Sequence, residues 1–171
     1  ITLATLFWGI YAGAIIDRHS RKKIFILTNI VCGCFIGSIA LYGIYTSHLS
    51  ELLVVSVFGI TIFNYNIHYP NLYAFGQEIT EQKNYGKLNS YIEVQGQTTS
   101  VLAGAFAAIL LTGTTNKNLE IAGFNFTLPF NVEKWQIYDI FLLDAFTYLA
   151  VIAIFSFIKY SSIKNEKIHT G

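Results

Sequence analysis

Five apolar runs of membrane-crossing length, divided by short clusters of charge, limit what this 171-residue chain can fold into. A helix needs about 20 predominantly apolar residues to cross roughly 30 Å of hydrocarbon. The runs cover residues 1–16, 24–45, 52–73, 88–112 and 140–158. Helices are the expected spanning form. A lone strand would leave backbone groups unpaired in lipid, and the runs lack the two-residue alternation of a barrel. The expected fold is all-α, a polytopic transmembrane bundle of five spans. Composition agrees, since charged residues make up 12% of the chain where a typical globular domain carries about 25%. Residue 1 is Ile and the chain opens inside an apolar run with no basic stretch before it. It therefore reads as an internal piece of a longer polypeptide.

The position of the charges orients the spans. Arg18, Arg21, Lys22 and Lys23 fill the first connection, Lys83 and Lys87 the third, and Lys159, Lys164 and Lys167 the tail. The other two connections hold only Lys117 and Lys134, so nine of eleven basic residues fall on one alternating side. By the positive-inside tendency that side is cytoplasmic, with the loop over 17–23 and the C-terminal tail both inside. A net charge of +1 offers no field for nucleic acid. Cys32 and Cys34 stand two apart on one helix and point to different sides, and His19, His48, His68 and His169 are scattered. No metal-ligand spacing, phosphate loop or nucleophile elbow is present, so the sequence calls for no cofactor and no catalytic residues.

Small residues recur at helical spacing. Gly9 and Gly13, Gly33 and Gly37, and Ser100, Gly104 and Ala108 form stripes on the first, second and fourth spans. Such stripes let backbones approach closely where lipid supplies no hydrophobic drive for association. The connection over 114–138 is long for a loop, and its alternation from Phe124 to Val132 suggests an extended or hairpin segment on the outer side.

The most specific local pattern runs from Gly13 through Asp17, Arg18, Ser20, Arg21 and Lys22 to Lys23. Anchoring accounts for the bases alone, but an acid at the membrane edge needs a partner. The run resembles the cytoplasmic loop of the major facilitator superfamily, G-x-x-x-D-R-x-G-R-[RK]. Gly13, Asp17, Arg18, Arg21 and Lys22 match, and Ser20 replaces the usual glycine. Tyr69-Pro70-Asn71-Leu72-Tyr73-Ala74 with Glu78, Lys83, Tyr85-Gly86-Lys87 and Asn89-Ser90 resembles the segment between helices four and five of the efflux-type branch. By this resemblance the chain corresponds to helices two to six of the N-terminal half. Helix one and the C-terminal half would lie elsewhere in the same polypeptide. The resemblance implies a bacterial cytoplasmic membrane and a gate built from Gly13, Asp17, Arg18, Arg21 and Lys22, with Arg21 pairing to Glu78.

Polar residues within the spans are the remaining candidates. Asn64, His68 and Asn71 share one face of the third span, and the resemblance implies that this helix lines a substrate cavity. Asn89, Glu93, Gln97 and Ser100 form a second stripe, from which Gln97 would face the same cavity. Interhelical hydrogen bonding is the plainer reading of the first stripe. Glu93 and Asp144 are the acids available for proton coupling, because a carboxylate at membrane depth must face protein or water, or be protonated. Asp144 also reads as a helix-end acid bonded to Thr147 or Tyr148, and Glu93 as an acid at the wet inner edge. Pro70 is expected to kink the third span. The arginine common in helix four of proton-coupled members and the Gly-Pro pair of the antiporter signature are both absent. The reading is a secondary transporter moving a small molecule by alternating access, with proton-driven efflux of amphipathic compounds favoured. Its partners would be the substrate, protons and the lipid bilayer. Small-solute uptake on the same fold, a membrane scaffold or receptor, and an intramembrane enzyme are the alternatives.

Overall fold

A computed structural model describes residues 13, 16, 18–114, 118–121, 124–127, 129, 131–158 and 160. Four helices run through it: α1 (Arg21–Thr46), α2 (Glu51–Glu78), α3 (Tyr85–Thr112) and α4 (Ile137–Phe157). All four are long and apolar enough to cross a membrane. Most of the first expected span, over 1–16, lies outside the described residues, as do Gly9 and Asp17. The bundle is all-helical, and in the long connection between α3 and α4 a small antiparallel ladder joins β1 (Asn118–Ile121) to β2 (Phe124–Thr127), as the alternation there suggests.

The helix ends follow local chemistry and extend beyond the apolar runs. Ser20 caps α1, its hydroxyl accepting from the Lys23 amide at 3.4 Å, so the helix starts inside the basic cluster. α4 starts at Ile137 rather than Ile140, because Gln136 and Asp139 form a reciprocal capping box. α2 continues through Pro70 to Glu78. The turn from α1 to α2 needs Ser47 in the left-handed region, at φ 55°. Gly113 ends α3 at φ 69°, where an added Cβ would also lie 3.0 Å from the Lys134 backbone nitrogen. The Thr114 amide donates to the Val132 carbonyl at 2.9 Å and the Trp135 amide to the Leu110 carbonyl at 2.9 Å. The long connection is therefore pinched shut at its base.

α1 lies in the middle of the bundle and packs most extensively along α4, then on α2. Its small residues face α4 in antiparallel order. A Cβ on Gly33 would meet the Tyr148 Cβ at 3.0 Å, one on Gly37 the Ala145 Cβ at 3.5 Å, and one on Gly43 the Tyr138 Cβ at 2.6 Å. The stripe expected at Gly33 and Gly37 is thus a helix contact. Around it Cys32, Ile36, Ile39 and Ala40 of α1, Val57 of α2, and Phe141, Ala145 and Tyr148 of α4 form the main core. α3 is the least embedded helix, with only Ile92 and Leu110 buried. It approaches α2 where Leu88 covers Gly76 and where the Tyr69 hydroxyl covers Gly96. Among the described residues no helix is seated on the stripe at Ser100, Gly104 and Ala108. Ser100 is exposed and Gly104 has open space beside it, because α3 touches its neighbour near its start. Large apolar side chains point outward instead, such as Leu52 at 78% and Val101 at 70% exposure. Such surface suits lipid and would aggregate in water.

The seam separates two substitutions. Gly43→Val should lower the melting temperature of the detergent-purified protein, since overpacking costs about 1–3 kcal/mol. Gly37→Ala, whose new methyl meets only ordinary contact, should leave melting unchanged or raise it.

Candidate functional site

Two polar regions are built on this frame. The first gathers at the end of the bundle where α1 starts and α2 and α4 finish. Arg21 Nε stands 3.4 Å from Glu78 Oε1, with the two side chains only 12% and 17% exposed. Tyr160 donates its hydroxyl to the other Glu78 oxygen, and Arg21 donates to the Ile16 carbonyl. Lys22 Nζ donates to the Ser156 carbonyl at 3.1 Å and the Ile158 carbonyl at 2.7 Å. Those are carbonyls at the C-terminal end of α4, which have no intrahelical partner and carry the negative end of the helix dipole. Beneath this knot Phe25 stacks on Phe155 at 4.4 Å between ring centroids and meets Phe75 edge-on at 5.9 Å. Polar and aromatic contacts together tie α1, α2 and α4 at one end.

Of the expected gate residues, Arg21, Lys22 and Glu78 come together here. Arg18 is exposed, and Gly13 is helical with no neighbour for an added Cβ. Asn71, expected in the cavity, also belongs to the knot. It is fully buried and donates to the Arg21 carbonyl at 2.9 Å. Seven residues past Asn64 carries it about 10 Å further along the axis. Its face is the one expected, but its depth is not.

The second region is a polar cleft of about 270 Å³ between α1, α2 and α4. Asn29, Thr61, Asn64, Tyr65, His68, Tyr69, Asp144, Thr147 and Tyr148 line it, with Val151. Asn64, His68 and Asp144 are candidates from the sequence, and the fold brings them to one cleft. Thr61, Asn64 and His68 fall at one helical face of α2. Asn64 is 8% exposed, and among the described residues its Oδ1 has no hydrogen-bond partner. His68 sets its ring against Phe25 at 5.1 Å, edge to face. Thr147 donates to the Asp144 carbonyl at 2.7 Å and reaches its Oδ1 at 3.4 Å. Among the described residues no Lys or Arg lines the cleft, and Asp144 is its one acid.

Thr61, Asp144 and Thr147 also line a second, apolar cleft of about 500 Å³ toward α3. Val57, Phe58, Ala103, Phe106, Ala107, Leu110, Ile140, Phe141 and Leu143 complete it. Asp144 thus stands on the boundary between a polar and an apolar space. Because α4 starts at Ile137, the acid lies two turns inside the helix, deeper than the one turn expected.

Gln97 and Glu93 do not line this cleft. Both are exposed on α3, and Glu93 accepts a hydrogen bond from Tyr73 of α2. Sequence reasoning missed Asn29 and Tyr65 as part of the wall. A lone amide in the middle of an apolar run was the available signal for Asn29. Nothing in the pattern separates Tyr65 from other aromatic residues of the spans. Among the described residues no group of His, Cys, Asp or Glu side chains is arranged to hold a metal ion.

Comparison of the chain with family models, curated proteins and solved structures gives no match.

The knot makes a contrast that thermal melting can read. Glu78→Ala removes the carboxylate that Arg21 and Tyr160 share and should lower the melting temperature clearly, since removing one partner of a buried pair costs about 3 kcal/mol or more. The Lys83–Glu81 pair is 2.6 Å long but 76% and 70% exposed. Glu81→Ala should therefore shift the melting temperature little, since exposed pairs contribute about 1 kcal/mol or less.

Proposed function

We propose that this chain forms most of the N-terminal half of a secondary transporter of the major facilitator type. It would move a small amphipathic molecule by alternating access, with export driven by protons. The observation that carries the reading is the position of Asp144. It lies inside a bundle of helices able to span a membrane, on the wall shared by a polar and an apolar cleft, with no cation beside it among the described residues. An acid at that depth is costly unless it binds a proton or a cation. The motif from Gly13 to Lys22, with Asp17 and Arg18, supports the family assignment. A transporter half also accounts for a cleft that stays open on one side, because the substrate site of such folds is made between two halves.

In this proposal Asp144 is the principal coupling acid, and Glu93, hydrogen-bonded by Tyr73, is the second. Asn64, His68, Tyr148 and Thr147 orient the substrate's polar end, and the cleft bounded by Phe58, Phe106 and Phe141 takes its apolar part. The Arg21–Glu78 knot holds the ends of α1, α2 and α4 together as one body while the two halves rock. Asp17 and Arg18 would make the contact to the other half. The basic end faces the cytoplasm of a bacterial cell, and the hairpin faces outside.

Two measurements test this. The full-length polypeptide in proteoliposomes should move an amphipathic fluorescent compound in response to an imposed pH gradient. Asp144→Asn should slow that flux about tenfold or more, the loss expected for one charge-assisted contact. A wild type without gradient-dependent flux would overturn the transporter reading. For orientation, His48→Cys should react with an impermeant maleimide added outside intact cells and His19→Cys should not, in a background lacking Cys32 and Cys34. The reverse pattern would invert the topology.

A further inference from the structure

We infer that the cleft at Asp144 selects a protonated amine that keeps at least one N–H, in preference to a quaternary ammonium, a neutral alcohol or an anion. This rests on the cleft being the substrate site proposed above. Two acceptors on the cleft wall lack a strong donor. Asn64 is more than nine-tenths buried and lines the cleft; its side chain also bonds with the Tyr148 hydroxyl, and its Oδ1 has no partner among the described residues. A buried acceptor left unpaired is destabilising, so such atoms are normally satisfied by something. Asp144 lines the same cleft, and its carboxylate has the Thr147 hydroxyl at 3.4 Å as a weak donor; among the described residues no Lys or Arg lines the cleft.

The chemistry of the missing donor follows. A group that serves both atoms must carry positive charge for the carboxylate and an N–H for the amide oxygen. An alkylammonium is donor-only and cationic, which meets both needs at once. A trimethylammonium group has the charge but no donor. An alcohol has a donor but no charge. A carboxylate or phosphate is repelled by Asp144.

Two further features shape the ligand. Tyr65 and Tyr69 stand on the wall with ring centroids 4.5 Å apart, and electron-rich ring faces attract an ammonium. The apolar cleft of about 500 Å³ opens from the same acid, so a ligand whose ammonium reaches Asp144 can lay a hydrocarbon or aromatic body against Phe58 and Phe106. His68 is the one ionisable base on the wall among the described residues, and its ring is engaged with Phe25. A water molecule could satisfy Asn64 but would not neutralise Asp144, and this is an outcome the test separates.

Calorimetry on the full-length polypeptide in lipid nanodiscs at neutral pH decides the matter, with three probes sharing one aromatic body. These are naphthylethylamine, its N-trimethyl derivative and the corresponding naphthylethanol. The amine should bind about tenfold or more tighter than either analogue, the effect of one charge-assisted hydrogen bond. Asn64→Leu should bring the amine and trimethyl affinities together while the trimethyl compound still binds, which also reports that the variant is folded. Asp144→Asn should remove the preference for amine over alcohol. Equal wild-type affinities for amine and trimethyl compound, or no binding of any probe, would overturn the inference, even where Asn64→Leu fails to fold. So would an amine preference that survives Asn64→Leu. Proton-driven flux of a compound with no amine preference would sink this inference and leave the transporter reading standing. Amine-selective binding without flux would do the opposite.

Discussion

The close approach of α1 and α4 fixes the rest of the arrangement. Gly33, Gly37 and Gly43 leave α1 without side chains where α4 lays Tyr148, Ala145 and Tyr138 against it. In lipid such contacts rest on van der Waals packing, because apolar side chains gain little by leaving hydrocarbon. The consequence reaches the cleft. With Ala145 and Tyr148 held in the seam, the residues just before them, Asp144 and Thr147, are rotated by about 100° around the helix. That rotation carries the acid off the α1 contact and onto the boundary of the two clefts. The glycines of one helix therefore set the direction of an acid on another.

The knot at the Arg21 end solves a different problem. Helices that finish together leave unpaired carbonyls and concentrated charge. Lys22 answers the carbonyl end of α4, and Glu78 answers Arg21 and Tyr160 together. A half-buried ion pair gains little net stability over an apolar equivalent, but removing one partner is costly. Such a device specifies how three helix ends meet more than it strengthens them. Its bases would also satisfy the charge asymmetry that orients spans in a membrane, so the same residues serve two constraints.

The clefts show how polarity is graded across a bundle. Main-core contacts between α1 and α4 are apolar and tight. One face of α2 then presents Thr61, Asn64 and His68, and α3 contributes Phe106 and small residues from farther away. α3 leans on α2 at Gly76 and Gly96, near its start, and leaves space beyond. That space is the apolar cleft. It exists because one helix is loosely held, and it adjoins polar atoms because the polar face of α2 is turned toward α4.

Apolar length, charge placement and alternation are enough to specify the four long helices, the charge clusters near their ends and the hairpin tendency near Phe124. The meeting of Arg21 with Glu78 is implied by the family resemblance. Periodicity also placed Asn64, His68 and Asn71 on one face, and small residues on one side of α1. Tertiary structure decided the rest. It sent Asn71 to the knot while keeping Asn64 and His68 in the cleft. It left Gln97 and Glu93 outside the cleft lining, with Glu93 bonded to Tyr73, and it joined Asp144 to residues 80 positions away on α2. A helical pattern fixes which residues share a face but not the direction in which that face is turned. The direction depends on how each helix is rotated by its neighbours, and that is set by packing between segments far apart in the chain.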